Sequence, residues 1–272
     1  MIKFCHIAPK AYADYAAKRS SIHLTLAHLV EEHGADYCKT FQDGKDIILD
    51  NSAFEMYKAG RPMYPSDKLL TMAEQMNAKY IVMSDYPGEP GQKTIDAAKE
   101  LGPIFKDAGY KTFFVPQSKV GDLEDYIDTF TWARDQDWID LIGMSILGIP
   151  NAYGVERGNK LQRYLSRFWM MRELEQRRML NTVGYNRLHF LGMTDGPNEI
   201  DLCHTYQVLI NSWDTSAAVW AGMNDIEFDS SPTGLINGKF EEEVDFSIET
   251  MYNNSQVDRN VSFINDKGDI ET

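Results

Sequence analysis

Four polar side chains stand where apolar runs stop: Ile-Ile-Leu-Asp50, Ile-Val-Met-Ser-Asp85, Phe-Phe-Val-Pro-Gln117 and Leu-Ile-Asn-Ser-Trp-Asp214. Each alone reads plainly as a helix N-cap or a turn former, common uses of such residues after a strand. Three carboxylates and a carboxamide gathered in one pocket would instead suit chemistry at an anomeric carbon. One carboxylate can attack C1′ of a sugar and form a covalent glycosyl-enzyme, while another moves protons on the leaving and entering groups. Crowding of like charges raises at least one pKa, so an acid and a base coexist at one pH. Retention of configuration asks for about 5–5.5 Å between the two working carboxyls. A planar heterocycle as leaving group asks for an aromatic face and paired donors and acceptors.

Residues so far apart in sequence meet only if their elements end on a common face. Short β-branched apolar runs alternate with amphipathic segments along the chain. Strands are predicted over residues 2–6, 47–50, 80–84, 112–115, 141–145, 188–192 and 208–212. Helices are predicted over 22–32, 66–77, 93–107, 123–134, 160–180 and 199–206. Pro65 precedes the helix opening at Ser66, whose Leu69, Leu70, Met72, Ala73 and Met76 recur at helical spacing. The strands are near-continuous apolar runs, as in sheets covered on both faces. Such βα alternation implies a parallel sheet, and the expected fold is a (β/α)8 TIM barrel; a doubly wound sheet shares the signature. Its eighth strand is sought at residues 261–264 or near 226–228. Residues 1–225 are expected to form the barrel and 226–272 an irregular acidic C-terminal extension packed on it, with Glu241, Glu242, Glu243 and Asp245. In a parallel barrel the C-terminal strand ends converge on one face, where active sites are built.

The totals narrow the partners. A chain of 272 residues with 43% hydrophobic and 25% charged residues is ordinary for a soluble globular protein. No run approaches the length of a membrane span, and MIKFCHIAPK lacks the apolar core of a secretory signal, so no membrane partner is expected. Cys5, Cys38 and Cys203 are far apart and form neither a disulfide framework nor a cysteine-rich zinc site. A reducing cytoplasm fits them. The net charge of −14 argues against broad nonspecific binding to nucleic acid, though not against a local basic patch. One basic stripe exists: Arg157, Lys160, Arg163 and Arg167, with Arg172, Arg177 and Arg178 beyond. It reads either as a phosphate-contacting surface or as a solvated helix face paired with Glu173 and Glu175. Tyr164, Phe168 and Trp169 between the bases suit stacking on unpaired nucleotides and core packing equally.

Taken in order, several short segments resemble one family. Asp50-Asn-Ser-Ala-Phe54-Glu is similar to the Asp-Ser-Gly-Gly-Phe-Gln motif of the queuine/archaeosine tRNA-guanine transglycosylases. Val-Met-Ser-Asp85-Tyr-Pro resembles their second aspartate segment, and Phe-Val-Pro-Gln117-Ser their Val-Gln-Gly. Ile142-Gly143-Met-Ser-Ile-Leu-Gly148 resembles their Gly-Gly-Leu-Ala-Val-Gly turn, and His189-Phe-Leu-Gly192-Met193 their Tyr-Leu-Met-Gly-Val. Ser212-Trp-Asp214-Thr-Ser resembles the Phe-Asp-Cys/Ser that carries their nucleophile. The matches keep their order from about residue 47 to 222, roughly two-thirds of the chain.

The resemblance implies a (β/α)8 barrel that exchanges guanine for a 7-deazaguanine by double displacement. Asp214 would attack C1′ and Asp50 would serve as general acid and base. Asp85 and Gln117 would read the base edge, Phe54 would stack on the ring, and backbone N–H groups near Gly143 would meet its carbonyl oxygen. Met193 would join the base-binding set. Two departures bear on the substrate. No Cys-x-Cys-x-x-Cys…His zinc pattern follows Asp214, and Thr-Ser-Ala-Ala-Val-Trp stands where the family has Pro-Thr-Arg. Met144 replaces the second glycine of the turn, which would reshape the base pocket. The compact, zinc-less form is closest to the phage and bacterial branch acting on DNA, so DNA is expected ahead of tRNA.

The expected partners are therefore a nucleic acid, whose duplex guanine would be flipped out to enter a barrel, and a 7-deazaguanine base as co-substrate. No metal and no cofactor are called for, and a homo-oligomer is left open. The cytoplasm is the expected compartment, including that of a bacterial host if the protein is phage-encoded. Two other classes stay open: a barrel N-glycosidase or nucleoside hydrolase, and a non-catalytic binding subunit. His6, His23 and His28 are read as ordinary histidines, and Cys203-His204 not as a nucleophile–base pair.

Overall fold

The computed structural model describes residues 1–156, 158–193, 196–228, 231 and 245–268. Eight strands form its centre: β1 (Lys3–His6), β2 (His23–Leu26), β3 (Ile47–Asp50), β4 (Tyr80–Val82), β5 (Lys111–Phe114), β6 (Leu141–Ser145), β7 (Leu188–Leu191) and β8 (Ile210–Thr215). They are hydrogen-bonded in the order β1-β8-β7-β6-β5-β4-β3-β2, every pair parallel. Between and after them run α1 (Ala13–Arg19), α2 (Ala27–Thr40), α3 (Ala53–Lys58), α4 (Ser66–Met76), α5 (Gly91–Asp107), α6 (Leu123–Arg134), α7 (Gly148–Ala152), α8 (Lys160–Gln176), α9 (Glu199–Leu202), α10 (Ala217–Met223) and α11 (Asn254–Gly268). This is a (β/α)8 TIM barrel. Among the described residues no helix is long and apolar enough to cross a membrane.

The eighth strand is not where the sequence suggested. It is β2, His-Leu-Thr-Leu, which lies inside the helix predicted over 22–32 and is buried at all four positions. Its apolar residues run straight into those of α2, so periodicity over the whole stretch hides a strand-to-helix switch at Ala27. Residues 261–264 belong instead to α11, and 226–228 to no strand of the sheet. The last strand is displaced too. β8 extends to Thr215, so Asp214 sits on the strand itself, level with Cys5 of β1.

β1 and β2 are the two ends of the sheet order. Short polar side chains bridge them. Ser21 Oγ accepts from Phe4 N at 2.8 Å, Ser20 Oγ accepts from His6 N at 2.9 Å, and Leu24 N donates to Cys5 Sγ at 3.0 Å. Two hydroxyls and a thiol thus satisfy strand donors that a ladder would otherwise use. Burial, then the Asp214 charge, pushes the Cys5 thiol up to about 12, so it stays a neutral packing group.

In the C-terminal extension the described residues 226–228, 231 and 245–253 are non-helical, and α11 (Asn254–Gly268) follows them. α11 packs on α10, and a Cβ on Gly222 would stand 2.6 Å from Val257 Cα, so only glycine allows the two helices this close. His6 at the end of β1 pairs with Asn265 through Nε2 at 2.9 Å, tying α11 to the barrel; burial lowers its pKa to about 4. The acidic residues Glu241, Glu242 and Glu243 fall outside the described residues.

Candidate active site

The strand ends bring Asp50, Asp85, Gln117 and Asp214 to one mouth, and two different environments flank it. On the β3–β5 side, Asp50 ends β3, while Asp85 and Gln117 each lie three residues beyond β4 and β5. Asn51 laces the loops together: Nδ2 donates to Met83 O at 2.7 Å and to Asp85 Oδ1 at 2.8 Å, and Oδ1 accepts from Ala53 N at 2.8 Å at the start of α3. The other Asp85 oxygen accepts from Gln117 Nε2 at 2.6 Å. Ser52 adopts a left-handed turn (φ 56°), a conformation costing a non-glycine residue on the order of 1–3 kcal/mol. That turn aims its N–H at Asp50 Oδ2, 2.8 Å away.

Both acids on this side bind protons more tightly than usual. Burial, then the charges of Glu55, Asp85 and Asp214, lifts Asp50 well above the carboxylate range, against the single stabilising N–H of Ser52. Of these charges, that of Asp214 acts most weakly on Asp50. Asp85 is 5% exposed, and burial pushes it up to about 6 although Asn51 and Gln117 both favour its anion. Among the described residues the buried Gln117 Oε1 accepts no hydrogen bond, so this side keeps an acceptor in hand.

The β7–β8 side is built on a histidine. His189 stands level with Ser212 and next to Asp214, because β7 and β8 pair in parallel. Its Nε2 lies 2.9 Å from Asp214 Oδ1 and its Nδ1 2.7 Å from Ser212 Oγ. Gly192 N donates to the same Asp214 oxygen at 3.2 Å. Gly192 has φ +75°, and a Cβ there would press to 2.6 Å from Ile146 Cγ2, so the turn requires glycine. Behind it, Arg167 makes a two-point pair with Glu199 (2.6 and 2.5 Å) and donates to Gly192 O at 2.7 Å, Leu191 O at 3.1 Å and Met144 O at 3.2 Å.

The remaining expected site residues divide. Phe54 is 41% exposed on α3, open enough to stack on a planar ring. Gly143 lies inside β6, level with His189, and a Cβ there would come within 2.9 Å of Leu191, Phe113 and Val115 side chains. It makes room for barrel-filling side chains. Met144 therefore points outward by strand alternation, away from the interior, and does not narrow the mouth as expected. Met193 is buried, and its carbonyl accepts from Thr215 Oγ1 at 3.3 Å.

The basic stripe is corrected in its centre. Arg167 is fully buried in the pair with Glu199 and cannot reach phosphate. Lys160 and Arg163 are half-buried in the first turn of α8, and Arg157 lies outside the described residues. Further on, Arg172 pairs with Glu175 at 2.5 Å, and Arg177 with Glu173 at 2.7 Å and Glu124 at 2.6 Å, which is the solvated-face reading.

Sequence reasoning missed the working neighbours. His189 entered only as a motif letter; its place two residues from the end of a strand paired with that of Asp214 was the available signal. Asn51, Ser52 and Glu55 lay within a quoted motif without roles. His28 leans on Ser52 Oγ through Nδ1 at 3.0 Å, one residue group away from Asp50. Among the described residues no three His, Cys, Asp or Glu side chains are grouped to hold a metal ion.

Fold and mouth together define a (β/α)8 barrel with buried carboxylates at the strand ends, the face on which barrel enzymes carry their chemistry. No protein-family profile matches the chain, and no curated protein matches it either.

Proposed function

We propose that this chain is a base-exchange transglycosylase that replaces guanine in DNA with a 7-deazaguanine derivative through a covalent aspartyl-sugar intermediate. The observation that carries the reading is the placement of Asp50 and Asp214 at C-terminal strand ends of one barrel, where burial first, then Glu55 and more weakly Asp85 and Asp214, lift the Asp50 pKa well above the carboxylate range. An acid and an anion facing one mouth are what glycosidic displacement needs.

The steps follow from the groups present. Asp214 Oδ2, which takes no hydrogen bond among the described residues, attacks C1′. The C1′–N9 bond breaks, its electron pair leaves with guanine, and Asp50 gives that base its proton. The incoming 7-deazaguanine returns a proton from N9 to Asp50, and N9 attacks C1′. The C1′–Oδ2 bond then breaks and its electron pair returns to Asp214, restoring the starting state. Asp85 and Gln117, held by Asn51, offer a mixed donor and acceptor edge for a purine, and Phe54 an aromatic face. DNA is favoured over tRNA because the residues after Asp214 lack both the cysteine pattern and the Pro-Thr-Arg of the tRNA enzymes.

Incubation with guanine-containing DNA and, separately, tRNA, followed by denaturing gels, tests the reading. A wild-type adduct that is lost in Asp214→Ala supports it, and equal adducts in both proteins remove Asp214 from the role. Adduct with tRNA alone replaces the DNA preference. Abasic sites without incorporation of labelled base make the protein a hydrolase.

A further inference from the structure

We infer that His189 is the positioning residue of this site, orienting the Asp214 carboxylate so that one oxygen is held and the other is presented to the sugar. The inference rests on the proposed role of Asp214 as attacking group, and its core is a count of hydrogens.

Ser212 Oγ has one hydrogen and two acceptors within reach, His189 Nδ1 at 2.7 Å and Asn211 Oδ1 at 3.0 Å. With a neutral ring carrying its hydrogen on Nε2, the hydroxyl gives its hydrogen to Nδ1. With a charged ring, Nδ1–H gives to Oγ and the hydroxyl turns to Asn211. In both states Nε2–H donates to Asp214 Oδ1. The other neutral tautomer would set a ring lone pair against a carboxylate oxygen 2.9 Å away, so the geometry selects against it. Ser212 thus acts as a swivel that keeps the donor on Asp214 whatever the ring charge.

The ring has little freedom to leave. His189 is fully buried, and the Phe113 ring meets it edge-on at 5.2 Å between centroids. Gly192 N adds a second donor to Oδ1, and its own turn is fixed by Arg167 and by Trp213 Nε1, which donates to Gly192 O at 3.0 Å. Two donors hold Oδ1 in place and leave Oδ2 for attack. The other titratable and charged groups around the pair are Asp50 on β3, Cys5 on β1, and the Arg167–Glu199 pair behind β7.

The test uses the full chain and two variants: His189→Gln, which keeps an N–H donor, and His189→Leu, which does not. Carbon-13 NMR should show the Asp214 carboxyl titrating about one pH unit or more higher in His189→Leu, with His189→Gln returning most of the way to wild type. Nitrogen-15 spectra of the wild type should show Nε2 protonated. Single-turnover adduct formation on guanine-containing DNA should slow by about 10²-fold in His189→Leu, the scale of a misplaced reacting group, with DNA affinity unchanged. Equal Asp214 titrations in wild type and His189→Leu overturn the inference, as does a wild-type ring protonated on Nδ1 alone, a measurement that stands even if His189→Leu fails to fold. Normal adduct rates in His189→Leu overturn it while leaving Asp214 as nucleophile. Lack of adduct in the wild type removes the function instead, and the two NMR measurements still decide the role of His189.

Discussion

The two sides of the barrel mouth set the same residue type to opposite duties. On the β3–β5 side the donors are carboxamides and one strained backbone N–H, and burial, then neighbouring carboxylates, raise the affinity of Asp50 for its proton. On the β7–β8 side an imidazole and a glycine N–H converge on one oxygen of Asp214, and a buried guanidinium fixes the glycine from behind. Neither arrangement is visible in the letter D. The environment, burial above all, raises the proton affinity of Asp50 and Asp85.

The contrast breaks most visibly at Asp50. Asp50→Asn removes the proton carrier and should slow adduct formation by about 10²–10⁴-fold, the range for loss of a general acid, measured by single-turnover gels. Next comes the support of the opposite side. Arg167→Met removes the two-point pair that Arg167 makes with the buried Glu199, and chemical denaturation should show a loss of about 3–5 kcal/mol; combining it with Glu199→Leu should recover most of that loss.

The pH dependence of stability sharpens the comparison further. An acid that binds its proton more tightly folded than unfolded loses native stability as pH climbs between its two pKa values. For Asp85 that window runs from 3.8 to about 6, a span of roughly 2 pH units and so about 3 kcal/mol. Asp85→Asn should abolish this fall in a stability–pH series, with Gln117 turning its unpartnered Oε1 toward the new amide. The smallest effect belongs to the rim: Phe54→Ala should weaken binding of a guanine-containing single strand by about 1–3 kcal/mol without changing the melting temperature.

Much of the fold was legible because buried parallel strands are short apolar runs, and seven of eight announced themselves. β2 was not, since its four residues join α2 without polar punctuation. Asp50 closes β3 as read, and Asp85 and Gln117 follow their strands, whereas Asp214 proved to be part of β8, which turns it inward. The stripe through Arg167 misled for a related reason. Charge spacing along α8 says which residues share a face, not that the face at Arg167 meets a buried glutamate from α9. His189 was hidden because its meaning lies across the ladder, in the register that puts Ser212 beside it and Asp214 within reach.

Between Asp50 and Asp214, the shorter way around the ring passes β2 and β1, the stretch where serine hydroxyls and the Cys5 thiol supplement a backbone bond from Ser21 N to Phe4 O. On the proposed mechanism, the gap between Asp50 and Asp214 is gauged in part by these three small side chains, and any breathing of that hoop at its clasp would change the reach between the two carboxyls. Trimming Ser20, Ser21 or Cys5 would then tune the proposed reaction from beneath, without touching a group assigned to the substrate.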